Sequence, residues 1–231
     1  MRRTLFGLVV SLGLGSTALA QAPYYPGAPM PQPAPADGGT PPASTTVIIV
    51  QPPTLATIVI EDLPERCKPI AKRANVPSRA QQLTGRIALA SCLADARASG
   101  LELIDGQESV IALEQAAEQS FAMLDNVAEV GDAGVKVSAL RAKADLYTTL
   151  AAKLAATVPP ALDATPESAA LHDMRRQIVD GMIQPWRDRN REAHQAIVDL
   201  ARAHPELARN PVAQTAIRDS ERVLAVPVAT R

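Results

Sequence analysis

The fold class is decided by residues 137–158, which read VSALRAKADLYTTLAAKLAATV. Their apolar positions alternate steps of three and four residues, a heptad pattern that places them on one face of an α-helix. These positions are Val137, Leu140, Ala144, Tyr147, Ala151, Leu154 and Val158. Leu146 and Leu150 widen the face beyond a two-stranded seam. The stretch therefore predicts a helix in the interior of a bundle, ending before Pro159.

Two helices are predicted on the N-terminal side of this stretch. The first has Ser78 as its N-cap and runs to about Ser99. The second has Asp105 as its N-cap and Glu108 three residues later, in the order of a capping box. Its apolar positions stop near Gly131, so we expect it to end there.

A long helix is predicted on the C-terminal side. Thr165 is its N-cap, Pro166 takes the first helical position, and the pattern continues to about His204. Pro185 interrupts it, because an interior proline removes one backbone hydrogen bond and clashes with the preceding turn. We expect either a kink around residues 181–185 or two separate helices.

Asn210 and Pro211 repeat the combination of a cap and a proline, and they predict a last helix to about Leu224. The count is then five or six helices with short connections. This arrangement predicts an all-α fold, an antiparallel helical bundle over residues 63–226, followed by a tail at residues 227–231.

Composition is consistent with one globular domain and excludes several functional classes. The chain has 231 residues, of which 47% are hydrophobic, 20% charged and 3% aromatic, and its net charge is −1. A nucleic-acid binder would carry a basic excess, so nucleic acid is not an expected partner. No apolar run is long enough for the mature chain to insert into a membrane.

The N-terminus has the three parts of an export signal. Arg2 and Arg3 precede an apolar run at residues 5–14, and a small-residue cleavage motif ends at Ala20, before Gln21. Residues 1–20 are therefore predicted to be a cleaved signal peptide. The expected location is the periplasm or the outside of a bacterial cell.

Residues 21–62 are predicted to be a flexible, Pro-rich arm. Ten prolines fall between residues 21 and 57, where Asp37 is the only charged residue. The plain interpretation is a spacer. Two β-branched runs, at residues 45–50 and 57–60, suggest instead a strand added to a partner's sheet or a cover for a groove on this protein's own helices. The candidate binding residues of the first run are Val47, Ile48, Ile49 and Val50.

Cys67 and Cys92 are the only cysteines. In an exported protein such a pair is expected to form a disulfide. The alternative is two free thiols with a redox role, although no C-x-x-C motif is present.

No catalytic or metal-binding pattern occurs in the sequence. His172, His194 and His204 lack the spacing of metal ligands, and no C-x-x-C-H or G-x-S-x-G motif is found. We therefore expect neither an enzyme nor a bound cofactor or metal.

One local cluster is a candidate for protein binding. Arg187, Arg189 and Arg191 follow the only tryptophan, Trp186, and tryptophan and arginine dominate protein-recognition sites. Acidic residues are interleaved with the arginines, so the alternative is a salt-bridged outer face, with Trp186 filling the space beneath Pro185.

The expected function is that of a non-catalytic interaction or scaffold protein of the cell envelope, with a protein partner there. One alternative is a periplasmic chaperone or sensor-like module that holds apolar client segments. A second alternative is a ligand-carrying bundle or an enzyme without a recognisable motif. The oligomeric state is left open.

Overall fold

A computed structural model describes residues 55–161 and 165–226. The predicted signal peptide, its cleavage site at Ala20 and Gln21, the candidate residues Val47–Val50 and the tail lie outside these residues. Within them the chain is all helical, as predicted, and contains no strand.

Six α-helices make up the described part of the chain. They are α1 (Lys68–Ala74), α2 (Arg79–Ala98), α3 (Gln107–Val130), α4 (Ala133–Ala155), α5 (Pro166–Ala203) and α6 (Pro211–Ala225). Short 3-10 turns precede α1 and α6, at Glu65–Cys67 and Pro205–Arg209. None of the described helices is both long and apolar enough to cross a lipid bilayer.

The helix α4 lies at the centre of the bundle. It contacts α2, α3, α5 and α6, and its most extensive contact is with α5. Its apolar face is buried as the heptad pattern predicts, with Val137, Ala144 and Leu154 fully covered. The side chain of Asp132 accepts a hydrogen bond from the Val135 amide at 2.9 Å, which fixes the start of the helix.

Neighbouring helices along the chain run antiparallel. Between α3 and α4, Asp125 pairs with Lys143 at 2.6 Å, and the ring of Phe121 stacks on Tyr147 at a centroid distance of 4.5 Å. Phe121 comes four residues before Asp125 on α3, and its partner Tyr147 comes four residues after Lys143 on α4, so the two helices run in opposite directions.

The pair α5 and α6 shows the same reversal. His194 meets Ser220 at 2.9 Å, and Arg191 donates to the Leu224 carbonyl oxygen at 2.9 Å.

Two expectations about helix ends need correction. Asp105 is not an N-cap, since α3 begins after Gly106 and the Asp105 carboxylate pairs with Arg175 on α5 at 3.0 Å. The helix α5 continues through Pro185 as one helix of 38 residues, so the expectation of two separate helices is wrong, while the alternative of a kink around residues 181–185 stays a prediction. The carbonyl that loses its bond is that of Gly181, an exposed residue, so water can satisfy it.

The segment before α1 is fastened to the bundle. The sulfur atoms of Cys67 and Cys92 lie 2.01 Å apart, a disulfide distance. Asn75 accepts from the Ile58 amide at 3.0 Å and donates to the Ile58 carbonyl oxygen at 2.8 Å. Ile58 and Ile60 pack against the cluster around Cys67. The run at residues 57–60 thus covers this protein's own helices.

Replacing Gly85 tests the close contact between α1 and α2. A Cβ at Gly85 would lie 2.7 Å from the Ala74 Cα, a backbone atom that cannot move aside cheaply. We expect Gly85→Ala to lower the free energy of unfolding by about 1–3 kcal/mol. The matched control is Gly181→Ala, where a Cβ meets nothing within 4 Å, and it should raise the free energy of unfolding by up to about 1 kcal/mol. Urea denaturation measures both, and equal effects would contradict the packing argument.

Candidate functional site

The first part of α5 extends beyond the helices that flank it. Trp186 on α5 donates from Nε1 to Glu114 on α3 at 3.1 Å, and Arg175 pairs with Asp105 just before α3. These two contacts show that α3 runs parallel to α5. Counting back seven residues from each partner of the first contact places Gln107, the first residue of α3, level with Val179.

The C-terminal end of α4 lies beside the same residue of α5 as the start of α3 does. Asn190 on α5 donates to the Ala144 carbonyl oxygen at 2.8 Å. Because α4 runs antiparallel to α3, it also runs antiparallel to α5, so its last residue, Ala155, is level with Val179 too. Val179 is the first buried residue of α5. Residues 166–178, which we call the α5 overhang, lie beyond both neighbours and span about 20 Å at about 1.5 Å per residue.

The overhang carries an exposed apolar stripe. None of its residues is buried. Leu171, Met174 and Ile178 are 52%, 55% and 55% exposed and stand three and four residues apart, so they share one face. The Asp105–Arg175 ion pair brings the connection before α3 to this end of the bundle, where Ile104 is 58% exposed. The other large exposed apolar residues of the described chain include Val59, Val212 and the pair Val223 and Val226 at the end of α6.

Helix formation in the overhang has local causes. The Thr165 hydroxyl accepts from the Ser168 amide at 3.3 Å, as expected of the predicted N-cap, and Pro166 takes the first helical position. Glu167 lies in the first turn, where a negative charge interacts favourably with the helix dipole.

The structure separates Trp186, which lies in the core, from the arginines that follow it in the sequence. Trp186 is 1% exposed and belongs to the main apolar core, so its ring is not on the surface. Its indole N–H is satisfied by Glu114. This position matches the alternative in which the ring fills the interior.

The three arginines have separate surroundings. Arg187 pairs with Asp180 at 2.8 Å, and Arg189 lies 3.9 Å from Glu114. Arg191 donates to the carbonyl oxygens of Leu224 and Val226, which are at the end of α6. Arg191 thus satisfies a helix C-terminus, while Arg187 and Arg189 remain on an exposed, ion-paired face.

Sequence reasoning did not single out the stripe. Its spacing is the same as that of a buried helix face, and the apolar positions of α5 continue without a break into the core at Val179 and Ile183. The only signal in the sequence was the length of α5 relative to its neighbours. Using this length to locate the overhang requires knowledge of how the helices are aligned.

A buried hydrogen bond joins α5 and α6. His194 is buried, and its Nδ1 lies 2.9 Å from the Ser220 hydroxyl, which in turn donates to the Ala216 carbonyl oxygen at 2.7 Å. The Ser220 proton is therefore engaged by the backbone, so Nδ1–H of His194 is the donor to Ser220. Nearby, Arg141 bridges Asp145 and Asp219 at 3.1 and 2.8 Å.

His194 and Ser220 are not arranged as a catalytic base and its nucleophile. The Ser220 hydroxyl is fully buried and donates away from the imidazole, whereas a nucleophilic serine donates to it. In residues 55–161 and 165–226, no group of three His, Cys, Asp or Glu side chains is placed to hold a metal ion.

Comparison with known proteins adds no relative. The sequence significantly matches no protein-family model, no curated protein and no solved structure.

The buried imidazole makes stability depend on pH. The pKa of His194 lies below its ordinary value because burial disfavours the imidazolium and because Arg141 adds a positive charge nearby, while Asp145 and Asp219 act in the opposite direction. The unfolded chain therefore takes up this proton first as the pH falls. We expect the contribution of His194 to the free energy of unfolding to be fully present above about pH 6.5. It should be lost as the pH falls from there through the folded-state pKa.

Urea denaturation between about pH 7.5 and 5 measures this decline. The variant His194→Asn keeps an N–H donor for Ser220 but does not titrate, so its stability should be nearly constant over the same range. The unmodified chain and the variant are compared by the slope of the free energy of unfolding against pH, because the substitution also changes its absolute value. An unchanged slope in the variant would assign the decline to other groups.

Proposed function

We propose that this chain is a non-catalytic interaction protein of the cell envelope that binds a protein partner through the α5 overhang. The observation that carries the proposal is the apolar stripe of Leu171, Met174 and Ile178 on a helix segment with no buried residue. The proposal includes the signal peptide at residues 1–20 and the Pro-rich arm that follows, on the strength of their sequence patterns. A cysteine pair at disulfide distance is compatible with export.

The stripe has the form of a helix that binds in a groove. Anchors at positions i, i+3 and i+7 are what an amphipathic helix presents to an apolar groove on a partner. Covering such side chains contributes about 25 cal/mol for each Å² of apolar surface removed from water. The expected partner therefore has an apolar groove wide enough for one helix.

The size of the stripe favours a single defined partner over a chaperone. A protein that holds many unfolded clients needs a broad apolar surface, whereas the overhang offers three anchors in one line. The chaperone alternative is therefore an outcome that the experiment distinguishes.

A charge placed in the stripe tests the proposal. Met174→Glu puts a carboxylate among the anchors and should abolish capture of the partner in a crosslinking pull-down from the native cell. Because Met174 is exposed, the free energy of unfolding should change by less than about 0.5 kcal/mol. The matched control is Ala169→Glu, which adds the same charge to an exposed position on the opposite face of the overhang and should retain the partner.

The readout is one stoichiometric partner, identified by mass spectrometry and then re-tested as a purified protein. Its loss from Met174→Glu alone supports the proposal. Equal capture of the partner by both variants would show that the overhang does not bind it. A diffuse set of unfolded clients would favour the chaperone alternative. A version without residues 21–54 separates binding by the arm from binding by the overhang.

A further inference from the structure

Arg86 is a buried cation that has no counter-ion within residues 55–161 and 165–226. It lies on α2 and is 8% exposed. One nitrogen, Nη2, donates to the Ala56 carbonyl oxygen, and Nε is buried without a hydrogen-bond partner. Among the described residues, no carboxylate forms an ion pair with it, although most other buried or half-buried cations of the bundle have one, such as Arg141 and Lys143.

This arrangement is costly in the free protein. A guanidinium stays charged at any ordinary pH, so it cannot escape burial by losing its proton. Burial lowers the pKa of Arg86, and no acidic group in the described part of the chain offsets that effect. A buried charge is normally paired and fully hydrogen-bonded, and here both conditions are incomplete.

Arg86 lines an open groove that has the complementary composition for an anion. The groove lies where the segment starting at Leu55 meets α2 and α3, and its volume is about 440 Å³. Among the described residues, the other polar ones that line it are Gln119 and Asn126, and none is acidic. The carbonyl oxygen of the Gln119 side chain is engaged by Arg97, so its amide N–H groups remain to donate. Its apolar lining includes Leu55, Met123 and Val130.

We propose that this groove, which we call the Arg86 groove, binds a small aliphatic monocarboxylate. The carboxylate accepts hydrogen bonds from the Arg86 guanidinium and from the amides of Gln119 and Asn126. The aliphatic part lies on Leu55, Met123 and Val130. The site is independent of the α5 overhang.

The geometry favours a carboxylate over a phosphate. A carboxylate accepts from the guanidinium and carries the one negative charge that neutralises it. A phosphate carries more charge than one arginine and two neutral amides can compensate. The apolar lining further favours an anion with a hydrocarbon part over a free inorganic ion.

Isothermal titration calorimetry on the full chain tests the proposal, with sodium octanoate as the probe. Octanamide has the same hydrocarbon part without the charge, and acetate has the charge without the hydrocarbon. We expect saturable binding of octanoate, and binding at least tenfold weaker for octanamide and for acetate. Absence of octanoate binding, or equal binding of octanamide, would overturn the proposal.

Two variants place the binding in the groove. Arg86→Met removes the charge and should abolish binding, but it also removes the bond to Ala56 and can unfold the segment. Asn126→Asp therefore serves as the second variant: Asn126 is exposed, and a carboxylate there repels the probe without removing a structural contact. We expect at least tenfold weaker octanoate binding. The control Gln177→Glu adds the same charge at an exposed position on α5 and should bind as the unmodified chain does.

Two other sources of a carboxylate are distinguished in the same experiment. A short peptide with a free C-terminal leucine tests a peptide terminus, and binding of this peptide without octanoate binding would overturn the small-molecule proposal. Asp37 could supply the carboxylate from the same chain. In that case Asp37→Asn would strengthen octanoate binding and lower the melting temperature, a result that would make the groove an internal ion-pair site instead. Unchanged values in Asp37→Asn support an external ligand.

Discussion

The burial of one face of α4 is the constraint on which the rest of the structure depends. This helix contacts four others, so the spacing of its apolar residues sets where α2, α3, α5 and α6 can lie. Aromatic residues are few, and alanines such as Ala139 and Ala144 occupy fully covered positions. Small side chains let helices approach closely, and close approach leaves little freedom to slide. The contact between α1 and α2 is equally close, because the Ala74 backbone packs against Gly85 and leaves no room for a side chain there.

The fixed alignment of α5 on α4 determines the surface to which the proposed function is assigned. Asn190 bonds both the Ala144 carbonyl oxygen and the Thr148 hydroxyl, and Trp186 is locked to Glu114. These polar contacts favour this register, because a shift by one turn would leave the buried indole N–H of Trp186 without its acceptor and would break the contacts of Asn190. The register in turn determines how much of α5 extends past its neighbours. The length of the overhang is therefore a result of core packing and not of the residues in the overhang itself.

Much of the fold could be predicted from the sequence, because its signals are local. Thr165 and Asn210 cap their helices as predicted, and the heptad face of α4 is buried as predicted. Asp105 shows the limit of this reasoning: its position suits a cap, but an ion pair with Arg175, seventy residues away, holds its side chain instead. The candidate sites depend on contacts of this distant kind. Nothing local distinguishes Leu171 from a core leucine, or Arg86 from a solvated arginine. Their environments arise from helix alignment and from the path of the segment before α1.

For the proposed interaction, it matters that the overhang is already helical in the free protein. A helix of its length is marginal in isolation, because forming the first turn fixes several residues in return for one hydrogen bond. Here the buried part of α5, from Val179 onward, supplies that nucleus, so the overhang needs only to extend an existing helix. The Thr165 cap satisfies one of the free amides at its end. Three anchors on a preformed helix lose little conformational entropy on binding, which leaves more of the free energy of apolar burial for affinity. A flexible segment with the same three side chains would have to order its backbone first and would bind more weakly.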